Sequence, residues 1–144
     1  MKSTAPECVW PVAAELGEGP VWQASEHAVY FVDIKGRKLH RLQVETGERQ
    51  TWAAPAQLGF AVPFADESLI CGLQGGLYRF SSTRGTFELL QAVETDLPGN
   101  RLNDGFADAN GRLWFGSMDD AEQQSTGSLY CCAAPGDRSR WSCA

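Results

Sequence analysis

The sequence predicts an all-β fold of short antiparallel strands, and three observations carry that expectation. An apolar, β-rich hexamer occurs three times, as Val29–Ile34 (VYFVDI), Leu69–Gln74 (LICGLQ) and Leu113–Met118 (LWFGSM), with starts 40 and 44 residues apart. Each hexamer follows a shorter apolar segment and a polar turn: GPVW before QASEHA, FAVPF before ADES, and GFA before DANGR. The 15 glycines and 7 prolines fall between the apolar runs, where strands joined by turns need them and where a helical chain would not carry them.

Each pair of segments reads as a hairpin. Asp66-Glu67 and Asn110-Gly111 stand between apolar runs, and Asp, Asn and Gly accept the left-handed backbone of tight turns. A third strand-like segment follows each hexamer: Lys38–Val44, Gly76–Ser81 and Gly127–Cys132. In the first two copies a polar turn and a further apolar stretch complete a unit of four strands. A four-stranded unit recurring every 40 to 45 residues is the sequence form of a propeller blade, which buries its faces against neighbouring blades. A β-sandwich with hairpins of similar spacing is the alternative. Three blades do not close a ring, so open blade edges predict self-association.

Residues 1–130 are expected to form this domain. The last fourteen residues, 131–144 (CCAAPGDRSRWSCA), lose the strand pattern and hold three of the five cysteines, so an aberrant or disordered tail from a shifted reading frame is expected there. The cysteines show neither metal-type spacing nor an even disulfide set, and all five are expected as reduced thiols. A net charge of −6 opposes the phosphate neutralisation that nucleic-acid binding needs. No apolar run approaches the roughly 18 residues of a membrane span, and Met1–Pro20 lacks a signal-type run, so a cytoplasmic address without membrane partners is expected.

Three constellations carry the candidate chemistry. Glu18, between Gly17 and Gly19 ahead of a strand, either projects a carboxylate from a strand end to hold a hard cation or is an exposed turn residue. Arg101 and Asn103 are two apart and share a face in extended backbone, where guanidinium and amide suit hydroxyl and carbonyl ligands. Asn103-Asp104-Gly105 also reads as a β-turn, with Asp104 bonding its own backbone. Asp119 and Asp120 are turn residues or an acidic pair facing a channel. His27 and His40 lie near no nucleophile motif and are expected on strand surfaces, and Gly72–Gly76 reads as a hairpin turn and not as a phosphate loop.

GEGPVW with VYFVDI, then NRLNDG, then DANGRLWFGSMD and TGSLY occur here in an order that resembles the SMP-30/gluconolactonase/LRE family, over about Leu16 to Tyr130. The resemblance covers the amino-terminal half of a member and implies a partial six-bladed β-propeller, a sugar-lactone substrate and one divalent metal (Ca, Zn, Mg or Mn) at the axis. By motif, Glu18 matches a metal-binding carboxylate, and Arg101 and Asn103 match contacts to the lactone. Asp120, beside Asp119, lies where members place an acidic substrate contact, with Glu122 as a competitor. The remaining ligands, an Asn and an Asp, belong to the other half, so the ligand set is incomplete and no catalytic residue is assigned within this half. The resemblance implies a hydrolase whose half-length chain is weakly active or inactive; a non-catalytic calcium-binding or β-edge interaction fragment is the alternative.

Overall fold

The structure is a computed structural model that describes residues 4–64, 67–133 and 142–143. Its strands form three antiparallel meanders, each with its strands in chain order. Blade 1 holds β1 (Gly17–Gln23), β2 (Ala28–Asp33), β3 (Lys38–Gln43) and β4 (Arg49–Ala53). Blade 2 holds β5 (Leu58–Pro63), β6 (Leu69–Leu73), β7 (Gly76–Ser81) and β8 (Thr86–Ala92). Blade 3 holds β9 (Asn100–Ala107), β10 (Leu113–Asp119), β11 (Leu129–Ala133) and the two-residue β12 (Ser142–Cys143). The expected blades are present, and each hexamer is the second strand of its sheet. Residues 131–133 finish β11 and residues 142–143 pair with it, while 134–141 and 144 of the expected tail lie outside the described residues. Cys132 is disulfide-bonded, which corrects the expectation of five reduced thiols; Cys8, Cys71 and Cys131 are free.

The period-two alternation of a strand sorts each hexamer between two interfaces. Tyr30 and Val32 of β2 meet Leu69, Cys71 and Leu73 of β6 in one buried cluster. Ile70 of β6 turns the other way and joins Phe60, Leu102, Leu113, Phe115 and Cys132 in a second. Blade 2 is therefore buried on both sides, and β5 packs along both β1 and β9 as the middle of three inner strands. The Phe60 ring lies against Gly72 of its own blade, where an added Cβ would sit 2.0 Å from Cε1. It also reaches Gly105 of blade 3, where an added Cβ would sit 2.8 Å from Cε2. Gly72 is thus a seat for an aromatic ring inside β6 and not part of the turn expected over Gly72–Gly76; the turn itself has Gly75 at φ +93°.

Each inner strand is irregular near its start. Gly19 and Pro20 of β1, Gly59 of β5, and Asn103 and Asp104 of β9 interrupt the pairing register with the hexamer strand. The expected β-turn over Asn103–Gly105 is corrected: these residues form a bulge within β9, two of them opposing Gly116. Asp104 does bond its own backbone, its Oδ1 accepting from Gly105 N at 2.8 Å. The turn at Asn110-Gly111 is made, with Gly111 at φ +76°, and Asp108 organises it. Its carboxylate accepts from Asn110 N, Arg112 N, Arg112 Nε and Trp114 Nε1, all within 3.0 Å. Glu67, at φ +63°, belongs to the blade 2 hairpin, whereas Asp66 is outside the described residues.

The chain ahead of β1 lies on the face of blade 1 that points away from blade 2. Trp10 packs edge-on against Phe31 and His40, and the Arg49 guanidinium stacks over Trp10 and donates to the Val9 carbonyl at 2.8 Å. Burial of His40 corrects its expected surface position: it is 2% exposed and pairs with Thr51 Oγ1 at 2.8 Å, and burial lowers its pKa against the pull of Asp33. His27 is exposed as expected but sits in a turn at φ +47°. Asp33 anchors the same segment, accepting from the backbone N–H groups of Glu15, Leu16 and Gly36 at 3.0 Å each.

Because the Phe60 ring fills space belonging to two blades, Phe60→Ala is expected to lower stability by about 3–5 kcal/mol, read from the urea unfolding midpoint. A loss below about 1 kcal/mol would mean that the blade 2–blade 3 seam closes over the gap.

Candidate functional site

The repeat places the candidate residues at matching points of the blades. The fifth residues of the hexamers, Asp33, Leu73 and Ser117, face Gly17, Leu58 and Leu102 across the ladder. The residues that follow these partners are Glu18, Gly59 and Asn103, so Glu18 and Asn103 occupy one blade position. The residues that precede the latter two are Gln57 and Arg101, again equivalent. Blade 2 offers no side chain at the position of Glu18 and Asn103 for a steric reason. A Cβ on Gly59 would lie 2.2 Å from the Leu102 carbonyl oxygen and 2.7 Å from that of Asn103.

Asp120, just past β10, is where the three blades meet. Its Oδ1 accepts from Lys35 Nζ of the β2–β3 turn at 2.5 Å and from Arg101 Nε of β9 at 2.8 Å. Its Oδ2 accepts from Gln57 Nε2, ahead of β5, at 3.0 Å. Partial burial pushes the Asp120 carboxyl up, but the hydrogen bonds from Gln57, Lys35 and Arg101 and the Lys35 charge outweigh it and hold the pKa at about 2. A guanidinium as buried as that of Arg101, 4% exposed, needs such a partner, because an unpaired buried charge is costly. The Gln57 side chain gives its nitrogen to Asp120 while its amide oxygen is buried without a partner.

Arg101 also fixes Asn103. Its Nη1 donates to Asn103 Oδ1 at 2.9 Å and approaches the Leu102 carbonyl at 3.4 Å. With the oxygen taken, the exposed Asn103 amide presents its two N–H donors outward, the polarity that suits a carbonyl or ring oxygen of a ligand. The start of β9 is fixed by a second cluster. Glu94 accepts from Asn100 Nδ2, Ser117 Oγ and Tyr130 OH within 2.9 Å, and Thr126 Oγ1 donates to the Asn100 amide oxygen. Burial raises the Glu94 carboxyl, and the bonds from Ser117, Asn100 and Tyr130 bring it below its ordinary value.

Arg101, Asn103 and Asp120 are therefore joined by direct hydrogen bonds, whereas Glu18 is not among them. Glu18 is exposed on β1 and makes no side-chain hydrogen bond to another described residue. The acidic pair divides its work. Asp119 caps a turn, its Oδ2 accepting from Gln123 N and Gln124 N, and Asp120 enters the clasp. Glu122, exposed at φ +57° in that turn, stays outside it. Lys35 and Gln57 escaped the sequence reading; the position of Gln57, matching Arg101 in the blade repeat, was the available signal.

The donors suit an incomplete cation site. Among the described residues no three His, Cys, Asp or Glu side chains gather. Glu18 offers one exposed carboxylate on an inner strand, and Asn103 has its amide oxygen taken by Arg101, whereas a hard cation prefers six or more oxygens. One chain by itself does not fit a resident metal.

The profile of the SMP-30/gluconolactonase/LRE-like region matches residues 16–142. The chain belongs to this family. It is 35% identical to an L-arabinolactonase of Azospirillum brasilense over 118 residues, covering 80% of this chain and 39% of that protein. It is 32% identical to a 6-deoxy-6-sulfogluconolactonase of Pseudomonas putida over 123 residues, covering 85% of this chain and 42% of that protein. Among solved structures it superposes with TM-score 0.80 and 28% identity on a calcium-binding regucalcin of Agrobacterium tumefaciens, covering 90% of this chain and 43% of the other. The SMP-30-type chain thus spans less than half the length of the relatives it matches, and its three blades are part of a six-bladed propeller.

The charge clasp makes a pH-dependent prediction. The folded Asp120 carboxyl titrates at about 2, below the ~3.9 of an unfolded aspartate, so its contribution is complete above about pH 4 and is lost as pH falls through 2. Asp120→Asn should therefore lower the urea midpoint at pH 6, with the difference from the parent shrinking between about pH 4 and pH 2. A difference independent of pH over that window would show that the carboxylate charge is not what holds the blades.

Proposed function

We propose that residues 1–130 are the amino-terminal half of a sugar-lactone hydrolase, and that this chain binds the lactone weakly and turns it over slowly or not at all. The observation that carries the reading is the hydrogen-bonded set Arg101, Asn103 and Asp120 at the start of an inner propeller strand, in a family whose named members include lactonases. Asn103 donates to the lactone carbonyl or ring oxygen, and Arg101 holds that amide in the donating orientation. Asp120 keeps the guanidinium charge-balanced and in place, with Lys35 and Gln57 bracing it from the other two blades. Glu18 is the carboxylate that would take part in holding a divalent cation, calcium, zinc, magnesium or manganese, whose bound form would polarise the carbonyl for attack by water. The rest of the oxygen ligands would come from outside this chain. The same reading carries a cytoplasmic setting, in which the Cys132 disulfide would be reduced.

A second reading has an observation of its own. Phe106 is 61% and Leu129 is 73% exposed on one side of blade 3, which favours a non-catalytic fragment that self-associates through open blade edges.

Hydrolysis of five- and six-membered sugar lactones, followed by proton release with each of the four metals, separates the readings. The expected result is little or no turnover above the metal-only control, with measurable lactone binding that Asn103→Ala weakens about tenfold, as the loss of one or two ligand hydrogen bonds implies. Turnover at the rate of full-length relatives would overturn the prediction of a weakly active half. Binding that is absent, or indifferent to Asn103→Ala, would remove the lactone from the reading.

A further inference from the structure

The two outer sides of the three-blade arc are complementary. On blade 3 the side away from blade 2 carries Phe106, Trp114 and Cys131, which face one another across β9, β10 and β11, with Leu129 across from Gly116. An open cavity of about 270 Å³ surrounds Gly116, bordered by Asn103, Trp114, Ser117 and Leu129. On blade 1 the side away from blade 2 carries the row Trp22, Val29 and Leu42, with Phe31 and His40 beside it beneath Trp10. Trp22 is 51% exposed there, and Val9 of the segment that carries Trp10 is 63% exposed.

Within the molecule a side of the first kind meets a side of the second kind twice. Tyr30 and Val32 of blade 1 press on blade 2, and Phe60 and Ile70 of blade 2 press on blade 3. The unpaired blade 3 side continues that series forward and the unpaired blade 1 side continues it backward. Two unlike, mutually fitting patches on one chain make a head-to-tail contact, which closes when the rotation per copy divides a full turn. Three blades covering 43% of a structurally similar regucalcin make half a ring, so two copies close it.

We propose that two copies of this chain form one ring, blade 3 of each against blade 1 of the other, and that this pair brings a second Glu18 carboxylate to the candidate site. This extends the propeller and self-association readings above. In the ring β1 of one copy lies beside β9 of its partner as β9 lies beside β5, so Glu18 stands at the axial level of the partner's equivalent inner-strand position. Two Glu18 carboxylates then share the axis where one chain supplies one.

Sedimentation equilibrium of the purified chain is expected to give twice the monomer mass. Phe106→Asp on the blade 3 side and Trp22→Asp on the blade 1 side, both at exposed positions and checked for folding by circular dichroism, should each lose the dimer. An equimolar mixture of the two variants should regain a two-chain species, because one unmodified contact remains between them. A monomeric parent chain, an open-ended series of larger species, or a Trp22→Asp variant that still dimerises would each overturn the proposal, the last by showing blade 3 packed on blade 3. A dimer with these properties and no lactone binding would leave the ring standing and remove only the lactone reading.

Discussion

A propeller blade is a sheet with apolar residues on both faces, so it is stable only with something packed on each side. That constraint organises the molecule. Blade 2 satisfies it fully, between the Tyr30 and Val32 face of blade 1 and the Leu113 and Phe115 face of blade 3. Blade 1 satisfies it in part by laying Trp10 over Phe31 and His40, and blade 3 leaves Phe106 and Leu129 in water. The interblade seams, more than the strand ladders, decide how the inner strands stand to one another, and the candidate side chains Glu18, Arg101 and Asn103 ride on those strands.

The Asp120 clasp is the polar counterpart of the apolar seams. Lys35, Gln57 and Arg101 come from three blades and share one carboxylate, so the relative placement of the blades and the orientation of Arg101 are set together. A shift of any one blade would loosen the guanidinium and, through it, the Asn103 amide. The orientation of the Asn103 amide is in this way tied to the packing of Phe60 and its neighbours some distance off.

Much of this was legible in the sequence, because a blade repeats its hydrophobic pattern every forty-odd residues and the hexamers stand clear of their surroundings. The pairing of Arg101 with Asn103 was legible too, from a spacing of two in extended backbone. What escaped were features decided by tertiary contact. Gly72 looked like turn glycine and proved to be the seat of an aromatic ring; Asn103–Gly105 had turn chemistry but sits in a bulge. His40 reads as polar, yet Trp10, far away in the chain, covers it. Lys35 gave no local sign and Gln57 none beyond its place in the blade repeat, since their role exists only once residues of three blades converge on Asp120. The family relationship supplied what spacing did not, the expectation that Glu18 belongs with the other two, and in the single chain Glu18 stands apart from them.

Gly59 bears on how such a ring diversifies. Of the three matching inward positions, the first and third tolerate side chains and hold Glu18 and Asn103, while the middle one is pressed against the carbonyls of Leu102 and Asn103. Mutation can recruit new side chains at the outer two of these places and is blocked at the middle one by a neighbour's main chain. Copies of a duplicated blade therefore do not start with equal evolutionary freedom: where each lands in the ring decides which can innovate and which must remain a plain spacer.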